Sequence, residues 1–248
     1  MSKVICFDSE EAWVEGVTSA IAARLRAALA DRAQATILLA GGSTPSPVYQ
    51  ALAQTEGVDW SRVHFFWGDE RHVPPNHEKS NFRMVRETLL KPLGISSDDP
   101  RVHWVPTRSA TPREDASLYE QNLRLFFHLM PGEAPRFDVV LLGMGSDGHT
   151  ASLFPNTEAL DEYEHLVVAN PVSKLDSTRI TVTFPVLNAA RSIFILVRGE
   201  EKAPRLATVL EGASAQYPVQ RISPVNGELI WMVDKAAASE LSEPPPGC

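Results

Sequence analysis

Asp147 and His149 stand two residues apart at the tip of a glycine-rich turn, Leu142-Gly143-Met144-Gly145-Ser146-Asp147-Gly148-His149-Thr150. An imidazole can take up or deliver a proton near neutral pH, and a neighbouring carboxylate can hold one of its tautomers. A lone histidine is commonly structural, and a lone Asp-Gly is commonly a turn. Together, on glycines and directly after the apolar run Phe137–Leu142, they point to acid–base chemistry. Gly143, Gly145 and Gly148 formally fit a dinucleotide fingerprint. The stretch that follows, His-Thr-Ala-Ser-Leu-Phe-Pro, makes a poor long helix, and no acidic residue closes a strand about 20 residues on. A dinucleotide is therefore not the expected ligand.

Two other loops carry candidate groups. In Trp67-Gly68-Asp69-Glu70-Arg71-His72, three charged residues follow an apolar run. Such a run is commonly a surface ion pair. It would equally place the Asp69 carboxylate and the Arg71 guanidinium in a cleft, where Arg71 suits a carboxylate or a developing oxyanion. Ser80-Asn81 downstream reads as a helix cap. In Gly41-Gly42-Ser43-Thr44-Pro45, two glycines and two hydroxyls precede a helical pattern. That loop reads either as an ordinary capped turn or as a phosphate cradle built from Gly42, Ser43 and Thr44. It is not a Walker loop, because no Gly-Lys-Ser/Thr follows. Arg179, at the start of the alternating run Thr178–Thr183, and Lys202, after Ile193–Val197, are cations that a dianionic phosphate would need. Each alone reads as a solvated charge.

The elements that must position these groups follow from periodicity. Short apolar runs at Lys3–Phe7, Thr36–Ala40, Val63–Trp67, Phe137–Leu142, Leu166–Ala169, Arg179–Phe184, Ile193–Val197 and Leu229–Val233 predict strands. Trp13, Val17, Ile21, Leu25 and Leu29 recur at i+4 and predict an amphipathic helix over about Ser9–Ala30. Further helices are predicted over Pro47–Leu52, Ser80–Leu90, Glu114–Leu129 and Lys202–Leu210. Strands alternating with helices imply βαβ units around a mostly parallel sheet. Ligands bind such sheets at the carboxyl ends of the strands, which gathers the three loops at one edge. No linker divides the chain, so one α/β domain over 1–240 is expected. The tail over 241–248, rich in proline, reads as disordered.

Composition narrows the class further. Hydrophobic residues make up 44% and charged residues 22% of 248 residues, values of a globular protein. The net charge of −8 argues against a broad nucleic-acid surface. No apolar run approaches a membrane span, and the N-terminal stretch carries no secretory pattern, so a cytoplasmic location is expected. Two cysteines near opposite ends, Cys6 and Cys248, argue against a disulfide framework or a cysteine metal cluster. Oligomeric state is not legible.

The segments LAGGSTP, WGDERHVP with SNFRM, FDVVLLGMGSDGHTASLFP, RITVTFPVLN and RGEEKA occur in this order from about residue 36 to 210. In this the chain resembles the 6-phosphogluconolactonase family, DGHTASLFP being the most specific segment. The resemblance implies a modified Rossmann-like α/β/α sandwich. It implies hydrolysis of 6-phosphoglucono-δ-lactone, a small phosphorylated sugar lactone, with no metal or organic cofactor. By similarity Gly42, Ser43, Thr44, Arg179 and Lys202 hold the phosphate, while Asp69, Arg71, Asp147 and His149 surround the sugar and the lactone carbonyl. Either Asp147 or Asp69 would orient His149. The related glucosamine-6-phosphate deaminases place a glutamate five residues after the histidine, where this chain has Phe154, and an aromatic residue in place of Arg71. A sugar-phosphate isomerase or deaminase is thus the alternative, and a non-catalytic sugar-phosphate sensor a more distant one.

Overall fold

A computed structural model of the chain describes residues 2–212, 216–243, 245 and 247–248. In chain order the strands are β1 (Lys3–Phe7), β2 (Ala35–Leu39), β3 (Val63–Trp67), β4 (Asp69–Arg71), β5 (Val102–His103), β6 (Val139–Gly143), β7 (Val167–Val172), β8 (Ser177–Val182), β9 (Ser192–Val197) and β10 (Glu228–Asp234). The helices are α1 (Glu10–Asp31), α2 (Ser46–Ala53), α3 (Asn81–Val85), α4 (Pro112–Phe126), α5 (Phe184–Asn188) and α6 (Ala203–Glu211). A π-helical turn over Arg86–Leu90 prolongs α3.

Apolar continuity explains the main sheet. β2 and β9 are buried at every position, as strands covered on both faces must be. The sheet has seven parallel strands in the order β1-β10-β9-β6-β2-β3-β5. The stripe Trp13, Val17, Ile21, Leu25 and Leu29 is the buried face of α1, which starts at a Ser9 cap whose side chain accepts the Ala12 N–H at 3.1 Å. α4 begins earlier than its apolar pattern, because Thr111 and Glu114 form a capping box with Pro112 in the first turn. Among the described residues no helix is long and apolar enough to cross a membrane.

Two expectations need correction. The runs at Leu166–Ala169 and Arg179–Phe184 do not join the parallel sheet. They form β7 and β8 of a separate three-stranded antiparallel sheet, β4-β8-β7, and Phe184 already starts α5. Only the second run alternates, Thr178-Arg179-Ile180-Thr181-Val182-Thr183, as suits an antiparallel strand; Leu166–Ala169 is apolar throughout, and its place is set by pairing with β8. The cysteines are the second correction. Cys6 and Cys248 form a disulfide with Cα atoms 5.2 Å apart, a separation that suits the bond. The last residue is thereby joined to β1, while 244 and 246 lie outside the described residues. Separation along the chain carries no information on this closure, which depends on where the last residues return in space.

Candidate active site

The loops after β2, β3 and β6, with the segment after β9, leave four adjacent strands, β9-β6-β2-β3, at their carboxyl ends. They enclose a cavity of about 250 Å³. Gly42, Ser43, Thr44, Asp69, Arg71, His149 and Lys202 all line it. Residues from four separate segments thus share one opening. Arg179 and Asp147 stand outside the lining. Arg179 lies in β8, opposite Arg71 in the antiparallel register, rather than at the end of a parallel strand. Its place depends on the small sheet, which also carries Asp69, paired with Thr181.

The glycines of the third loop are required by close approach. A Cβ on Gly145 would collide with the His149 ring and meet Asp147 Oδ1 at 2.8 Å. The turn is closed by the Gly145 N–H donating to the His149 carbonyl and the Gly148 N–H donating to the Gly145 carbonyl, both at 2.9 Å. His149 Nδ1 lies 2.5 Å from Asp147 Oδ1, which also accepts the His149 backbone N–H at 3.2 Å. An ionised carboxylate can only accept, so Nδ1 carries the hydrogen and Nε2 keeps a free lone pair. The Phe154 ring stacks on the imidazole with centroids 4.1 Å apart and planes at 28°. Burial pushes the His149 pKa down to about 4, Asp69 opposes this, and Lys202, Arg179 and Arg71 push the same way as burial. The ring is neutral at physiological pH and able to accept a proton at Nε2.

Asp69 is held differently. Its Oδ2 accepts the Ser152 hydroxyl at 2.6 Å, and its Oδ1 and backbone carbonyl accept from the Asn81 amide at 3.3 and 2.9 Å. Of the two carboxylates, Asp147 is the one bonded to the imidazole. Arg71 is braced by donating from Nη1 to the Lys79 carbonyl at 2.6 Å. Beneath it, buried Glu70 accepts the backbone N–H groups of Arg71, Asn81 and Phe82 at 2.7, 2.8 and 2.8 Å and the Ser80 hydroxyl at 3.1 Å. Burial raises its pKa, and the three backbone bonds counter that rise.

The model of the glucosamine-6-phosphate isomerases/6-phosphogluconolactonase family matches residues 8–231. The chain belongs to this family. A 6-phosphogluconolactonase of Nostoc sp. is 45% identical over 224 residues, covering 90% of this chain and 91% of the relative. Among solved structures, 6-phosphogluconolactonase from Thermotoga maritima superposes with a TM-score of 0.82 at 31% identity, covering 95% of this chain and all of that one. The Trypanosoma cruzi enzyme of the same name reaches 0.86 at 29% identity, with 98% of each chain covered. The expected α/β fold with its largely parallel sheet is the fold of this family.

Four residues around the family's histidine loop were not identified as site residues in the sequence. Asn81 reads there as a cap, but Ser80 is the cap, accepting the Arg83 N–H at 3.1 Å. Asn81 is instead buried against Gly41, where any Cβ would collide with its amide, and its Oδ1 has no hydrogen-bond partner among the described residues. Ser152 lies within the DGHTASLFP segment, so its nearness was available, though not its bond to Asp69. Phe154 reads as a departure from the deaminases, without the stack on His149. Lys174 sits between β7 and β8 with no motif to mark it, and its ammonium contacts Asp147 Oδ2. Among the described residues no group of three or more His, Cys, Asp or Glu side chains is placed to hold a metal ion.

Proposed function

We propose that the chain hydrolyses 6-phosphoglucono-δ-lactone to 6-phosphogluconate, the second step of the oxidative pentose phosphate pathway. One observation carries the reading: His149, with a free Nε2 and an Asp147-bonded Nδ1, opens on the same cavity as Gly42, Ser43, Thr44 and Lys202. The relatives named 6-phosphogluconolactonase support it. A phosphate held by Gly42, Ser43, Thr44 and Lys202, with Arg179 adding charge, leaves the lactone ring toward His149 and Arg71.

Nε2 takes a proton from water as the oxygen attacks the lactone carbonyl carbon. Negative charge gathers on the former carbonyl oxygen, where Arg71 stabilises it. The bond from this carbon to the ring oxygen then breaks, and the imidazolium returns its proton to the leaving alkoxide. The new carboxylic acid ionises to give the product. Asp147 holds the tautomer and offsets the imidazolium charge. The low pKa of free His149 makes it a weak base, but Lys202, Arg179 and Arg71 contribute to that depression. A bound phosphate dianion offsets these cations and raises the basicity of the imidazole when substrate is present. A cytoplasmic location belongs to the same proposal, since a phosphorylated lactone does not cross a bilayer unaided.

The stack of Phe154 on His149 disfavours the deaminase alternative, because an aromatic ring cannot relay protons. The test is lactone disappearance with freshly generated substrate, enzyme against blank, beside ammonia release from glucosamine-6-phosphate. Acceleration of the first alone is expected. Ammonia release without lactone hydrolysis would overturn the proposal.

A further inference from the structure

Lys174 lies between β7 and β8, far in sequence from the histidine loop. Two contacts bring it there: its ammonium meets Asp147 Oδ2, and it sits 4.7 Å from the centroid of the Phe154 ring. Phe154 in turn stacks on His149, and Asp147 Oδ1 bonds to His149 Nδ1. Lysine, carboxylate, imidazole and aromatic ring therefore close a circuit. The Lys174 side chain is half exposed, and an ion pair of that exposure contributes little to folding. Stability does not account for a cation placed on the outer oxygen of the carboxylate that orients the imidazole.

We propose that Lys174 is a positioning residue of the reaction, pairing with the outer oxygen of Asp147 and offsetting the negative charge that this carboxylate presents to the His149 ring. The proposal rests on the lactonase reading above. The Asp147 carboxylate does not depend on Lys174 for its place, because Oδ1 is also held by the His149 backbone N–H at 3.2 Å. Removal of the lysine thus leaves an unopposed anion against the imidazole and removes a cation from its vicinity. Both changes favour imidazolium, so the His149 pKa rises. Among the described residues the charged groups acting on the imidazole are Asp147 on its own loop, Asp69 and Arg71 from β4, Arg179 from β8 and Lys202 before α6, with Lys174 reaching it through Asp147. Among the described residues, Lys174 is the cation paired with the orienting carboxylate itself.

The test compares wild type, Lys174→Met and Lys174→Arg as full-length chains. The His149 ring is titrated by nitrogen-detected NMR on the free protein, and kcat and KM are measured for the phosphorylated lactone. In Lys174→Met the His149 pKa should rise by about 1 unit, and the acid limb of kcat/KM should move up with it. KM should stay within about 2-fold and kcat should fall less than the ~100-fold expected for loss of the imidazole itself. Lys174→Arg should restore the titration, and all three should melt alike. An unchanged or lowered His149 pKa in Lys174→Met overturns the proposal. So does a rise in KM for the phosphorylated lactone with kcat unchanged, which would make Lys174 a phosphate ligand. If wild type fails to hydrolyse the lactone, the functional reading fails, while the NMR titration still decides the role of Lys174.

Discussion

The Asp147 carboxylate binds His149 twice through one oxygen, to the ring Nδ1 at 2.5 Å and to the backbone N–H at 3.2 Å. The pair is two residues apart, yet it needs the Gly145 and Gly148 turns to fold back on itself. In the proposed mechanism this geometry gives the orienting role to Asp147, while Asp69 bonds to Ser152 and Asn81. His149→Ala should lower kcat at least ~100-fold. Asp147→Asn should retain the fold and lower kcat at least ~10-fold, because the amide can present the wrong partner to Nδ1. Steady-state rates on the lactone, with the blank subtracted, check both. A near wild-type rate for His149→Ala would remove the imidazole from the mechanism.

The low pKa of His149 also bears on folding. Burial pushes His149 and His103 each down to about 4, against an ordinary value of 6.5. Their unfolded forms gain protons as pH falls through 6.5, while their folded forms wait until about 4. The unfolded state binds more protons across that window, so their contribution to stability is complete above 6.5 and is lost toward 4. Denaturant midpoints measured between these values should fall with pH, and less steeply in His103→Asn. An identical slope in the variant would mean that His103 is not buried in its neutral form.

Phosphate recognition is testable at Lys202. Lys202→Ala should lower kcat/KM on the phosphorylated lactone by ~10- to 100-fold, since a charged hydrogen bond is worth roughly 1.5–3 kcal/mol. The larger part should appear in KM, as contacts shared by ground and transition state do. Glucono-δ-lactone without phosphate should be a poor substrate for wild type and nearly indifferent to the change. Equal impairment on both lactones would show that Lys202 does not read the phosphate.

Glu70 supports the loop that carries Asp69 and Arg71 through three backbone N–H groups and the Ser80 hydroxyl. Glu70→Ala leaves these buried donors without an acceptor, at a cost of about 3 kcal/mol. For a chain of this size the melting temperature should fall by roughly 6–12 °C. Calorimetry on the purified variant checks this. A shift under about 2 °C would mean that water replaces the carboxylate.

Much of this protein is determined by its sequence through local rules. Largely apolar runs set the buried strands β2, β3 and β9, and the i+4 stripe set α1, because both patterns act on neighbours along the chain. The glycine-rich turn determines that Asp147 and His149 meet, since only Gly148 separates them and the turn is closed by its own backbone bonds. The tertiary structure decided the rest. The sequence left open which carboxylate orients His149, and three-dimensional packing sends Asp69 to Ser152 and Asn81 instead. Arg179 is set opposite Arg71 by the small antiparallel sheet, whose pairing with β4 joins residues over 100 positions apart. Lys174, Asn81 and the Cys6–Cys248 bond carry no local signal, because each takes its role from a partner that only the folded chain brings within reach.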